Sequence, residues 1–476
     1  MPDHQGRGWH LRFIQPMSIV TSFRPRTRRN VELTLLLLGI AIVLVAYLNV
    51  GLAIDGAFPP DLVKYGLGLS VLAVGFHLVL RWRASYADPL MLPIATLLNG
   101  LGLVMIHRLD LTYVRTGSRL LAPKQLIWST LAVLIAAGVI IVLRDHRQLR
   151  RFTFTAMALG LGMLLLPLMP GIGRSINGSR IWIGIGPMSF QPGEVAKILL
   201  VIFFAGYLVQ TRDVLSLVGR RFLGIALPRG QDLGPILIAW LASVGVLVFE
   251  KDLGSSLMFF GVFVAMLYVA TERRSWFAIG MTLFCAGSYV AYLLFGHVQT
   301  RVLLWLDPFS AKALTASDQL VKGLMGMAKG GLLGSGLGHG HPEFTYFPES
   351  DFIIPSFGEE IGLIGLFALL LLYVLLIERG LRTALGVRDG FGKLLAVGLS
   401  FSLALQCFVV VGGVTRVIPL TGLTMPFLSY GGSSLLANWS LVALLLRISD
   451  QARRPLPDAE ELATAAAAHT QVVRRP

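Results

Sequence analysis

The chain consists of long apolar segments separated by short polar and glycine-rich stretches. Hydrophobic residues make up 55% of its 476 residues and charged residues 14%, whereas soluble proteins contain about 25% charged residues. So few charged side chains exclude a soluble enzyme, a disordered scaffold and a secreted disulfide-rich domain. Cys285 and Cys407 lie inside apolar segments and form neither a disulfide framework nor a metal-binding pattern. The apolar segments therefore predict a membrane protein.

Twelve of these segments are candidates for membrane-spanning helices, which need about 20 predominantly apolar residues each. The predicted fold is an all-α polytopic membrane protein of about twelve helices. The first segment is too long for a signal peptide and lacks a small-residue cleavage site. A count of ten spans, with 235–271 arranged differently, would also be even and would leave both termini on the same side of the membrane. The predicted spans are 33–54, 62–80, 90–106, 126–143, 154–169, 194–209, 235–249, 254–271, 276–295, 361–377, 394–411 and 434–448.

The placement of Lys and Arg predicts the orientation of the helices. With the N-terminus in the cytoplasm, the inner segments hold about twice as many basic residues as the outer loops, although loop 107–125 runs against this bias. We therefore expect both termini in the cytoplasm, with a basic arm at 1–32 and a flexible tail at 449–476. The net charge of +15 is then explained by orientation and by anionic membrane lipids, so no nucleic-acid partner is needed.

Three outer segments are rich in Gly, Pro and polar residues, namely 170–193, 296–360 and 412–433. The inner loops are mostly short and basic, so we expect any chemistry on the outer face. The third segment predicts irregular backbone at membrane depth, which is tolerated where it packs in protein or lines a cavity. Within it, Arg416 is either a cation of that cavity or a side chain that reaches the lipid headgroups.

Charged residues also mark two predicted helix starts. Glu194 and Lys197 are three residues apart and share a helix face. Because a lysine is unfavourable at a helix N-terminus, Lys197 needs a partner, either Glu194 or an anionic ligand. A structural ion pair and a functional site are both open interpretations here. Asp252 precedes an apolar segment and is predicted mainly to cap the following helix.

The long outer loop carries the strongest candidate for a catalytic residue. Asp351 directly precedes an apolar stretch, and a partly desolvated carboxylate suits a general base, although a helix cap is the alternative. The glycines of 330–338 favour a flexible platform over a nucleotide site, because no βαβ unit surrounds them. Glu359 and Glu360 suit the start of a helix. His339 and His341 are predicted to be solvated loop residues.

Together, these stretches resemble the shape, elongation, division and sporulation (SEDS) family, the RodA/FtsW peptidoglycan polymerases, from about residue 90 to 450. Each motif alone is modest, but the ordered set is specific, and residues 250–254 and 412–416 look most like the actinobacterial RodA branch. The motifs are Asn177-Gly178 with Gln191-Pro192, Glu194 and Lys197; Asp252-Leu253-Gly254; Gly330 to Gly336 with Pro348, Asp351-Phe352-Ile353 and Glu359-Glu360; and Pro419, Thr421-Gly422, Pro426 and Ser429 to Ser433.

The resemblance implies a glycosyltransferase that polymerises lipid II at the outer leaflet of the plasma membrane, in elongation or division, with a class B penicillin-binding protein transpeptidase as partner. Its ten-span core would cover 90–448, which makes 33–89 two additional helices. Asp351 would be the catalytic base. A divalent cation, magnesium or manganese, would suit the diphosphate, but no ligand set is visible. Candidate substrate-binding residues are Lys197, Glu194, Gln191, Arg180, Arg416, Glu349, Glu360, Gln319 and Ser433.

The chain departs from the family pattern at three positions. Ser189 stands where a basic residue usually precedes the Gln-Pro pair, Ile181 stands where Arg usually precedes Trp182, and Asp318 stands where Tyr usually precedes the loop glutamine. These changes affect the expected diphosphate contacts and leave Asp351 in place. A flippase or transporter of the lipid-linked precursor and a non-catalytic scaffold of a cell-wall complex are the alternative functions.

Overall fold

The computed structural model describes residues 27–115, 120–176, 179–185, 188–216, 221–222, 225–226, 238, 241–242, 244–245, 248–250 and 252–455. Residues 27–453 belong to one compact unit. Its helices are α1 (Arg29–Asp55), α2 (Leu62–Arg83), α3 (Met91–Arg115), α4 (Ala122–Val142), α5 (Thr153–Leu165), α6 (Pro192–Ser216), α7 (Leu253–Thr271), α8 (Arg274–Leu294), α9 (Gly296–Leu306), α10 (Ala311–Ala316), α11 (Gln319–Gly330), α12 (Ile353–Gly386), α13 (Gly390–Val414) and α14 (Gly432–Arg453).

Eleven of the helical segments in the described part of the chain are long and apolar enough to cross a membrane. They are all of these helices except α9, α10 and α11, and the segment containing α5 is extended by 3-10 turns to His146–Leu168. The predicted fold class, a polytopic helical membrane protein, is confirmed. The eleven segments correspond to eleven of the twelve predicted spans. The remaining prediction, 235–249, lies largely outside the described residues.

The core of the bundle lies around α14, whose residues from Ser433 to Asp450 are almost all buried. This helix packs against α4, and α12 packs against both α11 and α13. By contrast, the buried residues of α8 are Trp276 and Gly280 alone, so this helix presents most of its apolar surface outward. An apolar helix surface of this kind is suited to lipid, because the backbone polar groups are satisfied within the helix.

The first predicted outer segment is a small antiparallel sheet, which adds strands to the predicted all-α fold. Its strands are β1 (Gly173–Ile176), β2 (Ser179–Ile185) and β3 (Met188–Phe190), in the order β1-β2-β3. Ile183 pairs with Phe190, directly before the start of α6. The β-branched and aromatic side chains of β2 favour a strand. A further short pair, β4 (Arg221–Phe222) and β5 (Ile225–Ala226), lies between α6 and α7.

Much of the predicted loop 296–360 is helical. It contains α9, α10 and α11, and α12 begins at Ile353, eight residues before the predicted span start at 361. Where α11 meets α12, a Cβ on Gly330 would lie 2.2 Å from the carbonyl oxygen of Gly358, and one on Gly334 would lie 2.2 Å from that of Glu360. The glycines therefore allow a close backbone crossing, in place of the flexible platform that the sequence predicted.

The two ends of the described chain are also helical. The predicted additional helices of 33–89 correspond to α1 and α2, with α1 beginning at Arg29. At the other end, α14 continues to Arg453, with Ser449 and Asp450 fully buried, so the helix includes the start of the predicted tail. Residues 1–26 and 456–476 lie outside the described residues.

Candidate functional site

Asp351 lies in a turn directly before α12. The backbone N–H groups of Ser350 and Phe352 both donate to the carbonyl of Phe347, at 3.1 Å each. Phe347 adopts a left-handed conformation with φ of 55° within this turn. Phe352 occupies the N-cap position of α12, where no side-chain capping bond is formed. Asp351 is one residue before the N-cap and so does not occupy the capping position that was the alternative to a catalytic role.

The segment 421–430 also contacts the turn that contains Asp351. Ser429 Oγ donates to the carbonyl of Ser350 at 2.6 Å. A Cβ atom on Gly422, which has φ of +77°, would lie 3.6 Å from Asp351 Oδ2. The turn thus brings together two of the predicted outer segments, which are far apart in the sequence.

Arg301, on α9, is a cation that interacts with Asp351. Its Nη1 donates to the carbonyl of Thr421 at 3.1 Å, and its guanidinium interacts electrostatically with both Asp252 and Asp351. Burial and the neighbouring Glu349 carboxylate raise the pKa of Asp351 to about 7, and Arg301 opposes this increase. A carboxyl group with this pKa is partly ionised near neutral pH and can accept a proton from a hydroxyl group. The sequence prediction did not include Arg301.

Asp252 caps α7, as predicted. Its Oδ1 accepts a bond from the Ser255 N–H at 3.1 Å, and its Oδ2 accepts one from Ser255 Oγ at 2.6 Å. Burial raises the pKa of Asp252, and so does the charge of Glu194, whereas Ser255 and Arg301 lower it. Burial and Asp252 raise the pKa of Glu250 to about 8. Asp252 thus connects the surroundings of Arg301 with the start of α6.

Lys197 and Glu194 form a buried ion pair on α6. Lys197 Nζ lies 2.9 Å from Glu194 Oε2 and donates to Gln406 Oε1, on α13, at 2.8 Å. Gln406 Nε2 donates in turn to the carbonyl of Thr424 at 2.9 Å. All three charged or amide side chains are buried. The partner that Lys197 needs is therefore Glu194, supplemented by Gln406.

Two further predicted residues, Gln191 and Ser433, contact each other near this ion pair. The N–H of Gln191 donates to Ser433 Oγ at 2.8 Å, which joins the start of α6 to that of α14. Since Gln406 also bonds to Thr424, α6, α13 and α14 meet at one polar junction. The structure places four of the predicted residues at this junction, namely Gln191, Glu194, Lys197 and Ser433.

Glu349 and Glu360 are bound by side chains of α3. Tyr113 Oη donates to Glu349 Oε2 at 3.1 Å, and burial raises the pKa of Glu349. Arg108 forms an ion pair with Glu360 and a second, of 2.9 Å, with Glu343. Helix α3 therefore contacts Glu349, which precedes Asp351 in the chain, and Glu360, which follows it in α12. Arg108 and Tyr113 were not predicted as site residues.

Three predicted residues make their described side-chain contacts elsewhere. Arg180 donates to the carbonyl of Met169 at 3.3 Å, and Gln319 donates to that of Tyr346 at 2.9 Å. Arg416 is exposed and donates to the carbonyl of Leu306, at the end of α9, at 3.2 Å. None of these three contacts reaches Asp351, and the roles of the three residues in substrate binding remain predictions.

A resident metal ion has no fitting ligand set in the part of the chain that the structure describes. No group of three or more His, Cys, Asp or Glu side chains there is placed to hold one. The carboxylates near Asp351 are instead accompanied by Arg301 and Tyr113. No catalytic step is therefore assigned to a bound cation.

Two curated relatives match most of this chain. The peptidoglycan glycosyltransferase RodA of Mycobacterium bovis is 52% identical over 433 residues, covering 90% of this chain and 92% of the relative. The protein of the same name from Mycobacterium leprae is 47% identical over 466 residues, covering 97% of this chain and 99% of the relative. The latter match is long enough to include α1 and α2.

A solved structure and a family model also match this chain. A chain from a solved structure, described as "Structural coordination of polymerization and crosslinking by a peptidoglycan synthase complex", is 26% identical, with a TM-score of 0.59. The match covers 77% of this chain and 98% of that chain. The family model described as cell cycle protein, FtsW/RodA/SpoVE, matches residues 89–454, which contain Asp351 and all its described partners. The chain therefore belongs to the FtsW/RodA/SpoVE family.

Proposed function

We propose that this protein is a peptidoglycan glycosyltransferase that polymerises lipid II into glycan strands. The observation that carries the proposal is the position of Asp351, a carboxyl group with a pKa of about 7 that interacts with Arg301 at one end of a membrane-spanning bundle. The mycobacterial relatives, which bear this activity in their names, support the same function. A general base at this pKa suits deprotonation of a sugar hydroxyl at neutral pH.

In the proposed reaction, Asp351 takes the proton from the 4-hydroxyl of the acceptor sugar. The freed oxygen forms a bond to the anomeric carbon of the donor while the bond from that carbon to the diphosphate breaks. The electron pair leaves with undecaprenyl diphosphate, and the anomeric centre is inverted. Arg301 limits the increase in the pKa of Asp351, so that the carboxyl group is partly ionised at neutral pH. Lys197 stabilises the departing diphosphate electrostatically.

The proposed orientation places the Asp351 turn at the outer leaflet of the plasma membrane and both termini in the cytoplasm. The excess of Lys and Arg in the segments of the opposite side supports it. The proposed partner is a class B penicillin-binding protein transpeptidase. The solved peptidoglycan synthase complex, which joins polymerisation with crosslinking, supports this partner.

The decisive experiment is a polymerisation assay with lipid II and the purified protein in detergent. Asp351→Asn removes the base while keeping the side-chain size, so we expect loss of at least about 100-fold in rate. Asp307→Asn, an exposed aspartate at the end of α9, is the matched control and should polymerise normally. Full activity of Asp351→Asn would contradict the base assignment. Detergent removes the two sides of the membrane, so a flippase would have no transport to perform and would form no polymer. A non-catalytic scaffold would tolerate Asp351→Asn in cells.

A further inference from the structure

From the contacts at the end of the bundle where the Asp351 turn lies, we infer that the hairpin of α1 and α2 is a positioning element for catalysis. The hairpin precedes the residues matched by the family model, 89–454. It holds the turn at 335–340 against Glu360, and thereby steadies the start of α12 and the adjoining Asp351. The catalytic part of this inference rests on the proposed polymerase function.

The first step is a close contact between α1 and the turn. A Cβ on Gly338 would lie 2.8 Å from the Cβ of Ala53, 3.4 Å from Cγ1 of Ile54 and 3.5 Å from the carbonyl oxygen of Val50, so the lack of a side chain at Gly338 lets the turn lie close against α1. Beside this contact, Leu337 packs into an apolar cluster that includes Val50 and Leu69. The turn is therefore seated on the hairpin by apolar packing.

The second step joins the turn to α12 by hydrogen bonds. The N–H of Gly338 donates to Glu360 Oε2 at 3.1 Å, and the N–H of Gly336 donates to the carbonyl of Glu360 at 2.9 Å. The N–H of Ser335 donates to the carbonyl of Glu359 at 3.0 Å. These three hydrogen bonds connect a turn that rests on α1 to the first turns of α12.

The third step leads from α12 to the base. Asp351 lies two residues before the start of α12, and Phe352, Ile353 and Ile354 are fully buried. We therefore expect a displacement of the helix start to displace Asp351 as well. A small displacement of a catalytic group can lower a rate substantially, because the reacting atoms must be held in a near-attack geometry. Loosening the 335–340 turn should therefore slow catalysis while leaving substrate affinity largely intact.

The test uses two matched pairs of variants of the full chain, purified in detergent. Leu337→Ala and Val50→Ala each remove packing between turn and hairpin. Leu333→Ala, in an exposed position of the same loop, and Val45→Ala, on the exposed face of α1, are the controls. Hydrogen exchange of the amides of 335–338 reports the contact directly, and kcat and KM for lipid II report its consequence.

We expect the two packing variants to exchange these amides about tenfold faster, and their kcat to fall about tenfold with KM changed less than about twofold. The controls should match the wild type in both measurements. Unchanged exchange in both packing variants, or faster exchange with normal kcat, would overturn the inference. If the wild-type protein forms no polymer, the proposed function fails, while the exchange measurement still tests the contact.

Discussion

The ionisation of Asp351 determines the pH at which the proposed base can work. Its pKa of about 7 results from burial and Glu349, which favour the neutral acid, and from Arg301, which favours the carboxylate. Only the carboxylate accepts a proton, so the polymerisation rate should rise with pH and level off above about 7. Arg301→Gln removes the opposing charge, and we expect the rising part of the profile to move to higher pH by about one unit.

A conservative variant and a distant one make this pH profile specific. Arg301→Lys keeps the positive charge, so its profile should lie closer to that of the wild type. Lys312→Gln removes an exposed charge on α10 and should leave the profile unchanged. The measurement is the polymerisation rate from weakly acidic to weakly alkaline pH. If the midpoint of the profile does not move in Arg301→Gln, Arg301 does not act on the titrating group.

At the residue scale, the sequence predicted Asp351, the proposed base, but not the residues around it. Asp351 was predictable because a carboxylate directly before an apolar stretch is partly desolvated, which suits a general base. Arg301 is followed directly by the apolar residues 302–306. An arginine beside an apolar stretch is equally typical of a membrane boundary, where its side chain reaches the lipid headgroups. Its interaction with Asp252 and Asp351 arises only in the folded chain, because these residues are about 50 positions away from it in the sequence.

Among the elements, α6 and α13 are joined by the buried group of Glu194, Lys197 and Gln406. Removing one charge of a buried ion pair leaves the other uncompensated, which costs about 3–5 kcal/mol. Lys197→Met should therefore lower the stability of the protein by about 3 kcal/mol. Glu194→Gln in the same chain removes the stranded charge and should restore most of the loss, as measured by thermal unfolding in detergent.

The double variant also separates the two roles that the sequence left open for Lys197. A folded Lys197→Met, Glu194→Gln protein with normal polymerisation would show that the pair is structural. A protein of restored stability that polymerises at least about tenfold more slowly would support a role of Lys197 in stabilising the diphosphate. Gln210→Ala, in an exposed position of α6, serves as the control for the helix itself and should change neither property.

At the element scale, the sequence predicted helices well where hydropathy alone decides them. It failed at the start of α12, because Glu359 and Glu360 interrupt the apolar pattern. Their charges are compatible with a buried helix only through tertiary partners: Lys329 lies 3.0 Å from Glu359, and Arg108 pairs with Glu360. Such partners are distant in sequence, so periodicity could not reveal them.

Across the whole molecule, the α1–α2 hairpin is attached at both of its ends, but by different means. Near Ala53 the attachment is apolar, whereas at the opposite end a buried charged group provides it. Glu32 Oε2 lies 2.6 Å from Arg29 Nη1, and its Oε1 lies 2.7 Å from His77 Nδ1 on α2. Arg29 also donates to the carbonyl of Ala87, which joins the hairpin to the segment before α3.

The charged attachment should therefore govern stability, and the apolar attachment should govern catalysis. Glu32→Ala leaves the guanidinium of Arg29 buried without its carboxylate, so we expect the free energy of unfolding to fall by about 3 kcal/mol. Thr34→Ala, at an exposed position close by on the same helix, should have little effect. Because α1 extends about 40 Å and its apolar packing near Val50 is untouched, the folded Glu32→Ala protein should polymerise lipid II within about twofold of the wild-type rate. A loss of kcat comparable to that of Val50→Ala, measured well below the melting temperature, would show instead that the hairpin transmits a disturbance along its whole length.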